Sequence, residues 1–307
     1  MVVGGFLAGK VVLDPPARTE PVQTEPEKEY SGEIEETKGL LSKWNTEIGQ
    51  DGKKLEKQAP HIVKLATKYF GKQMSSMFPE KASDYSYDRL KNRVSLVSGQ
   101  ELDNKLVDIS CGMATKVPPD AEAVTDPSNA QINISPSKIA RLNPKYRVTQ
   151  YASGIFLTTL HELMHSSVTR TRHTPPVLLF GHNMPVDIEV GLDGFAINRG
   201  LSARYKKECL MSSQSLPPIE ELVVEDAAME LASLVGAENQ NSRLIYENSK
   251  YREKIRSLFG GDYKELLRYQ QFSNIEGYLV AVGSKLGGVN RQDQMARAGQ
   301  HIKNIFK

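Results

Sequence analysis

The amino-acid sequence predicts an α+β fold, with helices first, a small sheet next and helices again to the end. Three observations carry this. Apolar residues fall at helical spacing on both sides of the middle of the chain. Short β-branched runs gather between about residues 90 and 135. Regular strand–helix–strand alternation, the mark of a doubly wound sheet, is missing.

Residues 14–37 (DPPARTEPVQTEPEKEYSGEIEET) are rich in Pro, Glu and Thr and poor in large apolar residues. Such a stretch buries too little surface to offset its ordering entropy, so residues 1–37 are expected to form a flexible arm ahead of one domain over 38–307. A helical part follows over about 38–80. Leu40, Leu41, Trp44 and Ile48 share one helical face, as do Ile62, Leu65, Ala66 and Tyr69, with Pro60 expected to start the second helix. A sheet and a long helix occupy about 90–175. Arg93–Ser98 and Lys105–Cys111 read as a hairpin. Ala130–Ser135 alternates, with Ala130, Ile132 and Ile134 on one face and Gln131 and Asn133 on the other, until Pro136 ends it. A helix spans roughly Val148–Thr169. The mainly helical last part, about 183–307, holds helices starting near Pro185, over about Pro218–Gly236 and over about Arg291–Phe306.

Charge and composition exclude several classes. Lys plus Arg is 39 against 37 Asp plus Glu, a balance that argues against a dedicated nucleic-acid binder. No apolar run is long enough to span a membrane as a helix. The two cysteines, Cys111 and Cys209, form no CxxC pair, which removes a thiol zinc or redox motif and favours two reduced thiols in a cytoplasmic setting. Met1–Leu13 is apolar but lacks a basic start and is interrupted by Lys10, a poor pattern for an export signal, so secretion is the weaker alternative.

The chemical signal is His161-Glu162-Leu163-Met164-His165, an HExxH motif. With only 6 histidines in 307 residues, an accidental match has an expected count on the order of 0.01. On a helix, positions i and i+4 lie one turn apart on one face, so His161 and His165 can share one Zn²⁺. Glu162 stands beside them, where its carboxylate can take a proton from zinc-activated water and deliver it to a leaving amine. Ala152, Phe156, Leu160, Met164 and Val168 form an apolar stripe that seats the same helix against a core.

A catalytic zinc takes three protein ligands and keeps one open position. The HExxHxxGxxH version is excluded, because Val168 and Thr171 stand where it needs Gly and His. A later ExxxD remains: Glu189-Val190-Gly191-Leu192-Asp193, in the segment expected to be helical from Pro185. Glu189 can bind the metal, and Asp193, one turn on, can accept the free N–H of a ligating histidine. Asp187, Asp193 itself, His173, His182, Glu225, Asp226 and Glu230 stay open as competing ligands.

HELMH followed by EVGLD, with 23 residues between His165 and Glu189, resembles the gluzincin branch of the zincin metallopeptidases, in which thermolysin-like enzymes use HExxH and then ExxxD. The resemblance covers about Val148–Arg199 and implies a zincin-like fold. It implies His161, His165 and Glu189 as ligands, Glu162 as general base and Asp193 as the residue that orients His161. It also implies an edge strand before the active-site helix that binds extended substrate by β-augmentation; Ala130–Ser135 occupies that place in the order, and Gln131 and Asn133 would face the substrate. The chain departs from the thermolysin-like pattern at Ile188, where those enzymes carry asparagine. Gly191 and Gly194 weaken a helix there by about 1 kcal/mol each. An oxyanion donor is expected as well, with His182, Tyr263, Tyr269 and Tyr278 as candidates by residue type.

The expected function is therefore zinc-dependent hydrolysis of peptide bonds in a protein or peptide substrate. A zincin-fold binding or sensor module without catalysis, and a zinc amidase acting on a non-protein amide such as peptidoglycan, use the same ligands and stand as alternatives.

Overall fold

The computed structural model describes residues 26–109, 121–126, 129–141, 150–168, 171–173, 176–179, 182–185, 188–190, 195–198, 210–212, 219–237, 256–272 and 275–305. For residues 26–31, 109, 141, 171–222, 275–276 and 302–305 the description covers the backbone alone. Over these residues the protein is mixed α+β, mostly helical, with a small three-stranded mixed sheet beside its central helix.

Helix α1 (Pro26–Ile48) begins with proline at its first position, where a missing N–H costs nothing. The flexible arm expected through residue 37 is thus corrected: from residue 26 it is helix. Its polar composition hides tertiary anchors. Thr37 is buried, Ile34 packs against the core, and Glu33 pairs with Lys72 at 2.7 Å. Gly49, at φ +54°, closes α1 in the left-handed conformation that glycine adopts without penalty.

Asp51 then caps α2 (Gly52–Met77), accepting from the Lys53 and Lys54 amides. Pro60 lies inside α2 rather than at its start. The helix runs through it because Leu55, Ala59, Ile62 and Val63 on either side are buried in one core, and that burial outweighs one lost backbone bond.

A short 3₁₀ turn (Pro79–Lys81) and α3 (Tyr87–Leu90) lead to β1 (Val94–Leu96). The hairpin expected next is not formed. Lys105–Ile109 belongs to α4 (Gly99–Ile109), whose start is fixed by Ser98, its hydroxyl accepting from the Glu101 amide at 3.1 Å. The S-x-x-E signal of a capping box stands in Ser98–Glu101 and outweighs the β-branched content that follows.

Strands β2 (Ala123–Asp126) and β3 (Gln131–Ile134) complete the sheet, in the order β1–β3–β2. β3 runs parallel to β1, with Ile132 opposite Val94, and antiparallel to β2, with Ile132 also opposite Thr125. The strand expected at an edge is therefore the middle one. Ala130 stands outside it at φ +59°. Asn133 is 6% exposed, so the polar face expected to line a solvated cleft is buried at that position.

After α5 (Pro136–Arg141) comes α6 (Tyr151–Ser166), around which the rest is arranged. Ala152, Phe156, Leu160 and Met164 are fully buried, as the apolar stripe predicts. They pack with Ile62, Ala66, Tyr69 and Phe70 of α2, with Ile132 and Ile134 of β3, and with Val224, Ala227 and Leu231 of α7 (Ile219–Ser233).

The segment expected to turn helical near Pro185 carries strands instead. β4 (Thr171–His173), β7 (Ile188–Val190), β8 (Phe195–Asn198) and β9 (Leu210–Ser212) form an antiparallel sheet in that order, and β5 (Pro176–Leu179) pairs with β6 (His182–Pro185). Helices α8 (Tyr263–Gln271), α9 (Ile275–Lys285) and α10 (Arg291–Ile305) close the chain.

Candidate metal centre

The HExxH residues lie on the last two turns of α6. Thr158, His161, Glu162 and His165 fall at i, i+3, i+4 and i+7, so they share a face turned away from the apolar stripe. His161 and His165 are half-buried. Their rings stand edge to face, 66° apart, and their Nε2 atoms converge to 3.2 Å. Two nitrogens bound to one tetrahedral zinc at about 2.0–2.1 Å stand about 3.3–3.4 Å apart. The two Nε2 atoms thus stand about as far apart as two ligands of one metal ion would. The same separation makes an N–H···N hydrogen bond when the rings hold opposite tautomers.

Glu162 is 8% exposed. Its carboxylate does not drift beside the histidines: Thr125 of β2 donates its hydroxyl to Glu162 Oε2 at 2.6 Å, the length of a charge-assisted bond, and Thr125 Oγ1 also lies 3.2 Å from the Glu162 carbonyl oxygen. One turn earlier, Thr158 donates to Glu122 Oε2 at 3.2 Å. β2 therefore runs alongside the motif face of α6, fastened at two points.

β2, not β3, is the edge strand beside the motif face of α6, and no further strand lies beyond it among the described residues. The Ser135 amide donates to the Glu122 carbonyl at 2.9 Å, so residues 122, 124 and 126 turn their backbone groups toward β3. By alternation, Ala123 and Thr125 turn theirs outward, on the strand that holds Glu162.

The C-terminal end of α6 sits in a polar seat that the sequence reading missed. Gln271 donates to the Met164 carbonyl at 3.0 Å, while its own oxygen accepts from Ser167 Oγ and Tyr85 OH, each at 3.0 Å. Arg93 donates to the Ser166 carbonyl at 2.7 Å. Lys81 Nζ donates at 2.9 Å both to the Ser167 carbonyl and to that of Gln271. Cations at a helix C-terminus are favoured by its dipole. Lys81 is nonetheless only 6% exposed, and burial, with nearby Arg93, pulls its amine down to about 8 against the opposing pull of Asp84. At the other end, Asn45 of α1 accepts from the Ser153 amide at 3.2 Å and donates to Ser153 Oγ at 2.8 Å.

The other expected site residues divide. Glu189 lies in β7, paired with Arg172 and Ile197 in register, so the argument that placed it on one helical face with Asp193 fails. The side chain of Glu189, and Asp193 altogether, lie outside the described residues. Cys111, Cys209 and Asp187 lie outside them too, as do the side chains of His173 and His182. Among the competing ligands, Asp226 and Glu230 of α7 face Arg256 at 3.2 and 3.0 Å, and Glu225 is buried beside them. Gln131 and Asn133, expected at a substrate edge, belong to the inner strand. Tyr278 stacks on Phe259, Tyr269 tilts against both rings, and Tyr263 reaches Met77, a packing arrangement rather than an oxyanion site. Among the described residues, no group of three or more His, Cys, Asp or Glu side chains is assembled for a metal, and no helix is long and apolar enough to cross a membrane. Comparison with known protein families, with curated proteins and with solved structures finds no match for this chain.

Proposed function

We propose that this protein is a zinc-dependent metallopeptidase of the zincin type. The observation that carries the reading is the 3.2 Å convergence of the His161 and His165 Nε2 atoms. The buried carboxylate of the adjoining Glu162, held by Thr125, supports it. His161 and His165 would hold the zinc, with Glu189 as third ligand on the grounds of its charge and its place after the motif. Asp193 is the proposed partner of a ligating imidazole. Zinc, when bound, would supply Lewis-acid polarisation of the scissile carbonyl and of the attacking water.

The chain's own residues supply the rest. Glu162 takes the proton of the attacking water and passes it to the leaving amine, the two halves of general base and general acid work. Its low exposure limits competition from bulk solvent. Extended substrate would lie against the outward backbone groups of Ala123 and Thr125 on β2, by strand addition.

Zinc content and cleavage of fluorescein-labelled casein test the reading together. The purified chain should carry one zinc, lose cleavage to a chelator and regain it with zinc. His161→Ala should lose the metal. Glu162→Gln should keep the metal and lose cleavage by about 10²–10⁴-fold. A Glu162→Gln protein with wild-type cleavage would sink the mechanism.

A further inference from the structure

We infer that Thr125 is a positioning residue for Glu162, setting the carboxylate from the edge strand so that Oε1 is the oxygen that moves the proton. The inference rests on the metallopeptidase reading and adds to it the device that aims its base. A glutamate carries three side-chain torsions, and a catalytic carboxylate left to them is spread over several orientations. A base must be held to within about 0.5 Å of its productive place. The structure supplies such a hold. Thr125 Oγ1 donates its single proton to Glu162 Oε2 at 2.6 Å, the shorter of its two approaches to that residue, so the hold is on the head of the side chain.

The holder is itself stiff. A β-branched residue in a strand has few χ1 choices. Thr125 is paired across the sheet with Ile132, which is fully buried. The bond from Thr158 to Glu122 keeps β2 in register along α6. With one carboxylate oxygen occupied as an acceptor, the two oxygens cease to be equivalent. Because Thr125 also lies on the strand with outward backbone groups, one residue couples the proposed substrate edge to the base.

Thr125→Val removes the hydroxyl at nearly constant shape, and Thr125→Ser restores it. Three readouts are needed: zinc content, kcat and KM on an internally quenched peptide drawn from the preferred casein cleavage site, and unfolding of the metal-free protein in a double-mutant cycle with Glu162→Ala. The Thr125→Val protein should keep one zinc, lose about 10- to 100-fold in kcat and change KM less than about 2-fold. Thr125→Ser should return kcat to within about 3-fold of wild type. In the metal-free cycle the two substitutions should couple by about 5-fold or more in the folding equilibrium constant. Wild-type kcat in Thr125→Val, equal losses in the Val and Ser variants, or additive effects in the cycle would each overturn the inference. A wild-type protein that cleaves nothing sinks the peptidase reading itself. That failure is told apart because it is present before any change at Thr125.

Discussion

At its C-terminal end α6 gives the carbonyls of Met164, Ser166 and Ser167 to donors from three distant places: Gln271, Arg93 and Lys81. At its N-terminal end it has one asparagine, Asn45, on a half-exposed surface. The first end draws on three donors from distant parts of the chain; the second, where Ser153 is itself fully buried, draws on Asn45 of α1. His161, Glu162 and His165 all sit near the first. Distant donors are thus concentrated at the end that carries the paired imidazoles, and fewer are placed at the end that starts the helix.

This contrast can be broken from either side. The largest effect is expected from Gln271→Leu, which takes the partner of the buried Tyr85 hydroxyl and removes one bond each from the Met164 carbonyl and Ser167 Oγ, which keep their 3.2 Å bond to each other. Chemical denaturation should show a loss of about 3 kcal/mol, the cost of one unsatisfied buried hydroxyl together with the bonds lost at its neighbours. A loss below about 1 kcal/mol would mean the seat is not a cooperative unit.

Lys81 sharpens the comparison through pH. Its folded amine releases its proton at about 8, whereas the unfolded chain holds one up to about pH 10.4. Between those values the unfolded state binds more protons, so unfolding free energy rises with pH; the penalty of a buried charge is full below about pH 8 and fades above it. Urea unfolding at pH 7.5 and 9.5 should show the wild type gaining about 2 kcal/mol relative to Lys81→Met over that step. A wild type that gains nothing over the variant would mean that the Lys81 amine is not desolvated.

The smallest effect belongs to the other end. Asn45→Ala should cost about 1 kcal/mol, the usual worth of a cap, and leave zinc content unchanged. If it cost as much as Gln271→Leu, the asymmetry between the two ends would be gone.

Much of α6 was legible in the sequence because two periodic signals coincide there: an apolar stripe every fourth residue, and a motif of defined spacing on the adjoining face. Other parts were legible only to rules left unused. Ser98 and Glu101 announce α4, yet the β-branched content of Lys105–Ile109 pointed to a strand. Ile188 and Val190, and then Phe195 and Ile197, alternate with period two, which is a strand pattern. The ExxxD spacing of Glu189 and Asp193 reads instead as a helix, although Gly191 and Gly194 weaken it. The seat under α6 was out of reach for a different reason. Lys81, Arg93 and Gln271 are ordinary polar residues in the sequence, and only the fold gives them carbonyls to serve. Thr125 belongs to the same class, a strand threonine whose partner lies 37 positions away.

The 104 residues that separate Ser167 from Gln271 set an order of events. A chain emerges from the ribosome N-terminus first, so the histidine turn is synthesised long before the glutamine that fastens it. Until α8 arrives, the Met164 carbonyl lacks its Gln271 donor, while Arg93 and Lys81, made before α6, already stand ready for the carbonyls of Ser166 and Ser167. The seat beneath the HExxH turn is thereby completed only once α8 has been made.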